Sequence, residues 1–290
     1  MTGQEKFIDI GLGLNLHLRE WPGDGQPFVL LHGLASNSLT WQQVAAHLNQ
    51  AGHRVMAVNQ RGHGLSDKPD DGYDFATIAA DLANLIDTLK LERPLLVGQS
   101  WGGNVLLEFG ARYPEVACGL AWIDGGFLDL QSRPNATWDT ISQQLKPPRL
   151  NGMPRAALKQ RIQAGHPDWE EWGVEATLGN FETLPDGTIR PWLTLEHHMS
   201  ILRAMWEQRP AALYGLVAAP TLICVAEDPT NLEWNKVKAR QLMAAQTGLT
   251  TSEAIWFTST DHDIHVHRPA ELARVLLTSL QTGVWHRCAD

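Results

Sequence analysis

Ser100 stands in the pattern Gly98-x-Ser100-x-Gly102, with an apolar run at 95–97 before it and a helix-like stretch at 104–112, closed by Pro114, after it. A serine at a sharp strand-to-helix turn with small flanking residues is lifted clear of the sheet. The following helix directs its first amides and positive dipole end to where negative charge develops during attack on a carbonyl. Trp101 N–H is the expected donor. Serine is a poor nucleophile at neutral pH, so it needs a base in reach and a third group to orient that base. The segment 261–267 supplies three histidines, His262, His265 and His267. Asp124, Glu227 and Asp228 follow apolar runs and supply carboxylates. Alternate histidines on an extended segment could instead share a metal, but a cation would compete with the base that Ser100 requires, so no metal is expected. A P-loop or dinucleotide-type glycine loop is not in evidence, and no cofactor is implied.

Holding these groups together requires strands that end where they stand. Residues 28–31, 54–58, 95–97, 119–123, 220–225 and 253–258 read as strands, most of them continuously apolar and so covered on both faces. Residues 7–10 and 14–19 alternate apolar and polar around Gly11-Leu12-Gly13 and predict a hairpin-like pair. Helices are predicted over 39–51, 75–89 with Asp74 as N-cap, 236–245 and 270–280. Strands alternating with helices give an α/β class with a mostly parallel central sheet and helices on both faces. From about 127 to 216 the pattern changes to Trp-, Pro- and Gln-rich chain with helical fragments at 155–163 and 194–208 and no convincing buried strand. Trp138, Trp169, Trp172, Trp192 and Trp206 fall there.

The serine turn, the His32-Gly33-Leu34 turn after the 28–31 strand, and the loop Asn59-Gln60-Arg61-Gly62-His63-Gly64-Leu65-Ser66 together resemble the α/β-hydrolase superfamily. The resemblance runs over essentially the whole chain, most clearly at 28–126 and 220–280. It implies an α/β-hydrolase core at 1–126 and 217–290 and an inserted helical cap at 127–216, some of whose tryptophans line an apolar pocket above Ser100. It also implies a triad in the order serine, acid, histidine: Ser100, Asp228 and His262. His262 lies seven positions before Pro269, as in the superfamily pattern, with His265 as the other choice. Asp228, in Ala226-Glu227-Asp228-Pro229, is the expected acid, with Glu227 and Asp124 as substitutes; some relatives use the position of Asp124. Leu34 N–H is the second expected oxyanion-hole donor, Gly33 letting the amide turn inward and His32 bracing the loop. Asn59 stands where Asp is usual, and its loop reads as structural, with Arg61 bonding neighbouring carbonyls.

The implied activity is a cofactor-independent serine hydrolase, carboxylesterase-like, that cleaves a carboxylic ester or lactone through an acyl-Ser100 intermediate. Carbon-carbon bond hydrolases, perhydrolases, aminopeptidases and ligand receptors with little turnover share the fold and remain alternatives. Ser100 argues against relatives with an Asp nucleophile, such as haloalkane dehalogenases and epoxide hydrolases.

Composition narrows the partners. A formal charge of −9 over 290 residues disfavours nucleic acid and anionic membrane, and a small, largely apolar substrate fits better. Hydrophobic residues make up 43%, ordinary for a globular enzyme, and no apolar run has the length needed to cross a bilayer. The start, Met1-Thr2-Gly3-Gln4-Glu5-Lys6, lacks a basic-then-apolar leader pattern, which makes the cytoplasm the expected location. Cys118, Cys224 and Cys288 have no metal-like spacing and read as buried thiols.

Overall fold

The computed structural model describes residues 3–11 and 13–288. Met1 and Thr2, part of the start read for a leader, and Leu12, in the predicted N-terminal turn, lie outside the described residues.

The N-terminal pair is formed by β1 (Gln4–Asp9) and β2 (Asn15–Trp21). They are followed by β3 (Gly25–Leu31), α1 (Gln42–Gln50), β4 (His53–Val58), α2 (Phe75–Thr88), β5 (Leu95–Gln99), α3 (Trp101–Arg112) and β6 (Gly119–Ile123). The eight-stranded sheet is completed by β9 (Thr221–Ala226) and β10 (Ser252–Phe257) and has the order β1-β2-β4-β3-β5-β6-β9-β10. β1 and β2 pair antiparallel, as do β2 and β4, and the remaining pairings are parallel. Every residue of β5 and β6 is buried, which is why those segments read as unbroken apolar runs rather than alternating ones.

The two faces of the sheet carry different helices. Val29 and Leu31 of β3 pack with Ile78, Leu82 and Leu85 of α2 and with Val105 and Phe109 of α3. Phe28 and Leu30 point the other way, toward Val44 and Leu48 of α1. This is the period-2 alternation of a strand read out on two cores. Burial of a side chain such as Leu48, fully removed from water, contributes about 1.5–3 kcal/mol.

Between β6 and β9 the chain leaves the sheet. It forms α4 (Trp138–Gln144), α5 (Arg155–Gly165), α6 (Glu171–Leu178), a hairpin of β7 (Phe181–Thr183) and β8 (Ile189–Pro191), α7 (Leu195–Glu207) and α8 (Pro210–Leu213). The hairpin was not expected from the sequence. Leu158, Val174, Leu178 and Ile189 give this excursion a small apolar cluster of its own. The chain then returns through β9 (Thr221–Ala226), α9 (Leu232–Gly248), β10 (Ser252–Phe257), α10 (Ile264–His267) and α11 (Pro269–Gln281).

The expectation of three buried thiols is corrected. Cys118, just before β6, and Cys288 form a disulfide, leaving Cys224 as the buried free thiol. Trp285 is fully buried beside this bond and donates its indole N–H to the Pro220 carbonyl at 3.0 Å. Among the described residues no helix is long and apolar enough to cross a membrane.

Candidate active site

β5 ends at Gln99, α3 begins at Trp101, and Ser100 between them has φ 51° and ψ −118°. A non-glycine residue adopts such a backbone only when its surroundings hold it there. Ser100 N–H donates to the Ile123 carbonyl at 2.9 Å, and the Ser100 carbonyl accepts from the amides of Gly103 at 2.9 Å and Asn104 at 3.2 Å. A Cβ on Gly98 would lie 2.4 Å from the Gly102 carbonyl oxygen, so the turn closes only around a glycine. Gly33 serves a related purpose. Its φ is not positive, but a Cβ there would lie 2.3 Å from Gln99 Oε1, so glycine lets the His32-Gly33-Leu34 loop rest directly against the serine turn.

His262 sits in the loop between β10 and α10, with its Nδ1 2.7 Å from Asp124 Oδ2. Gln99 Nε2 donates to the His262 carbonyl at 3.2 Å, tying that loop to the residue before the serine. Ser100 and His262 line one cavity of 200 Å³, together with Leu34, Gln99 and Asp263. Burial works against the imidazolium, but the hydrogen bond to Asp124 and its charge, aided by Asp263, outweigh that and raise the His262 pKa above the ordinary imidazole value.

Asp124 follows β6 with φ 44° and is 1% exposed. Its Oδ1 accepts the Ala226 amide at 3.0 Å, and both oxygens face Lys238 Nζ, at 3.1 and 3.2 Å. The expected pairing of His262 with Asp228 is therefore corrected. Asp228 Oδ1 accepts the Thr230 amide at 2.8 Å and the Thr230 hydroxyl at 2.6 Å, and its backbone is held by Asn235 at the approach to α9. The bonds to Thr230 lower its pKa and fold the carboxylate onto its own turn. Glu227 is tied by its backbone, its amide donating to the Phe257 carbonyl and its carbonyl accepting from the Thr260 amide.

The other histidines are separated. His265 is fully buried against Trp41, with ring centroids 4.4 Å apart, and burial pulls its pKa down to about 3. His267 Nδ1 stands 3.9 Å from Asp261. Among the described residues no group of three or more His, Cys, Asp or Glu side chains is placed to hold a metal.

Leu34 lies in the wall of the cavity with Ser100. Trp101, as the first residue of α3, has an amide with no acceptor inside the helix. His32 Nδ1 donates to the Gly33 carbonyl at 2.8 Å, its Nε2 accepts the Gln60 amide at 3.1 Å, and burial lowers its pKa to about 4. His63 braces the same loop from the other side. Its Nε2 accepts the Ala35 amide at 3.2 Å while Nδ1 donates to the Arg61 carbonyl at 2.9 Å, and burial holds its pKa well below the ordinary value. Asn59 accepts the Ser38 amide at 2.7 Å, a structural contact. Arg61 does more than bond a carbonyl: its guanidinium pairs with both oxygens of Asp81 on α2, at 2.7 and 2.8 Å.

A second cavity, of 620 Å³, shares Ala35, Ser36 and Asn180 with the first and is walled by Phe181, Trp192 and Leu193 from the 127–216 excursion. Trp192 is the one tryptophan of that excursion in its wall; Trp138 packs near Trp206, at 6.3 Å between centroids. Trp169 Nε1 donates to Asp261 Oδ2 at 3.0 Å and His166 Nδ1 lies 3.1 Å from the same oxygen, fastening the α5–α6 connection to the loop of His262. Lys238, Gln99, His63 and this Asp261 contact were not singled out as site residues from the sequence.

Known proteins share this fold. The chain is 32% identical over 185 residues, 63% of its length, to 2-(acetamidomethylene)succinate hydrolase of Mesorhizobium japonicum, covering 58% of that protein. It is 38% identical over 101 residues, 34% of its length, to a non-heme chloroperoxidase of Streptomyces lividans, covering 37% of that protein. In both matches it spans less than two thirds of the relative's own length. Among solved structures, E-2-(acetamidomethylene)succinate hydrolase superposes with a TM-score of 0.77 at 23% identity, covering 94% of this chain and 97% of that one. A thioesterase domain from the curacin biosynthetic pathway gives 0.74 at 20% identity, covering 95% and 99%. Identities this low speak for the fold alone. The model of the alpha/beta hydrolase family matches residues 28–275, and with the serine turn and eight-stranded sheet in place, the chain belongs to the alpha/beta hydrolase family.

Proposed function

We propose that the protein is a serine hydrolase that cleaves a carboxylic ester or lactone through an acyl-Ser100 intermediate, with His262 as base and Asp124 as the acid that orients it. The observation that carries this reading is the 2.7 Å His262–Asp124 contact, with His262 lining the same cavity as Ser100 on its strained turn. His262 Nε2 takes the proton as Ser100 Oγ bonds to the carbonyl carbon and the carbonyl electrons move onto oxygen. The amides of Leu34 and Trp101 receive that oxyanion. Its collapse breaks the bond to the leaving alkoxide, which takes the proton from His262. Water then gives a proton to His262 as it attacks the acyl carbon, and the acid leaves with Ser100 restored. Asp124 keeps Nδ1 protonated and balances the transient imidazolium.

Residues 127–216 act as a cap in this reading, and the substrate is small and largely apolar, in keeping with the Phe181, Trp192 and Leu193 wall. A second reading, an acid-bearing amide, is favoured by Lys146 and Arg149 in that wall and by the relative named 2-(acetamidomethylene)succinate hydrolase. A fluorophosphonate probe should add to Ser100 and abolish turnover, as read by mass mapping of the labelled peptide. Label at another serine, or full activity of Ser100→Ala, overturns the assignment. A panel of esters, lactones and acid-bearing amides separates the two substrate readings, and tight binding without turnover would mark a receptor.

A further inference from the structure

Lys238 lies on α9 yet is 2% exposed, facing inward with Val237, Gln241, Leu242 and Ala245. Besides the two oxygens of Asp124, its ammonium bonds the Ala226 carbonyl. Taking a lysine and an aspartate out of water costs several kcal/mol per ion, recovered only with good geometry and further hydrogen bonds. Here Asp124 is met on both oxygens and Lys238 is met by three acceptor atoms. The carboxylate that faces His262 thus has the Lys238 ammonium behind it as well as the imidazole in front.

We propose that Lys238 is a positioning residue for the His262–Asp124 pair, a fixed cation that holds the carboxylate toward Nδ1 and limits how strongly its charge keeps a proton on His262. The inference rests on the reading of His262 as base. The groups that face His262 are Asp124 after β6, Asp263 beside it and Lys238 from α9, with His265 neutral behind it. Burial lowers the His262 pKa most, the two carboxylates raise it, and Lys238 lowers it. Lys238 itself faces Asp124 and, more weakly, Asp228. Without Lys238 the imidazolium would be better held, and the neutral base would be lost at a higher pH.

The test compares wild type with Lys238→Met and Lys238→Arg, following His262 by NMR titration and the acid limb of kcat/KM on a short activated ester. Both the titration and the limb should move to higher pH in Lys238→Met, with kcat reduced and KM little changed, and should return toward wild type in Lys238→Arg. If Lys238→Met does not fold, Lys238→Gln keeps a donor toward the Ala226 carbonyl without the charge, and the same upward shift is expected. An unmoved titration in the neutral variants, or a shift as large in Lys238→Arg, overturns the proposal. Because the NMR titration needs no turnover, a failure of the hydrolase reading would show separately, as turnover that survives in Ser100→Ala or as binding without turnover in wild type.

Discussion

Asp124 and Asp228 offer His262 the same carboxylate, and what distinguishes them is the company each keeps. The first is buried with one oxygen on Nδ1; the second is spent on Thr230. Asp124→Asn leaves the histidine without an anion to orient it and should lower kcat by about a hundredfold to ten-thousandfold, while Asp228→Asn should stay close to wild type. The measurement is kcat for both variants, with melting curves to confirm that each is folded, and a larger loss in Asp228→Asn would reverse the assignment. The serine turn and the place of His262 beside it were legible because a glycine-flanked serine and a histidine before a final helix are local patterns. Which aspartate meets His262 was not legible, because both follow apolar strands, and no residue-level pattern tells which way a side chain points once its strand has ended. Lys238 left a readable trace: with 241, 242 and 245 it falls on one helical stripe, and a lysine on a core-facing stripe has to be paired.

The element that presents Ser100 is the β5–α3 junction, where Gly98 lies so near the Gly102 carbonyl that a Cβ would have no room. Gly98→Ala should force that junction apart, costing about 1–3 kcal/mol of stability by overpacking and weakening acylation of Ser100. Chemical denaturation and probe labelling read the two effects, and a variant as stable and as reactive as wild type would contradict this account. Most strands and helices were legible because buried parallel strands and amphipathic helices have strong periodicity. The departures have local causes. Where a helix was expected from 39, residues Ser38–Trp41 form a tighter 3-10 turn, capped by Asn37, whose amide also reaches the Ala176 carbonyl at 2.8 Å in the excursion. The β7–β8 hairpin escaped notice because strands of three residues are too short to show a period.

At the scale of the whole molecule, the Cys118–Cys288 bond joins positions 170 residues apart. Nothing in the spacing of three scattered cysteines pointed to the pair, because the approach of Cys288 to β6 depends on the packing of the chain after α11. Cross-linking so long a loop restricts the unfolded chain, and Cys288→Ser should lose about 2–5 kcal/mol and melt earlier. Equal melting of variant and wild type without reductant would mean that the bond does not form. A cytoplasmic setting, expected from the first residues, keeps thiols reduced, so the bond and that expectation make opposite demands. The ring it closes takes in Asp124, Lys238 and His262 and leaves Ser100 and the 33–35 turn outside. A protease that cuts once within 127–216 therefore detaches nothing: the two pieces stay joined through sulfur, and the nicked molecule migrates at full size until it is reduced.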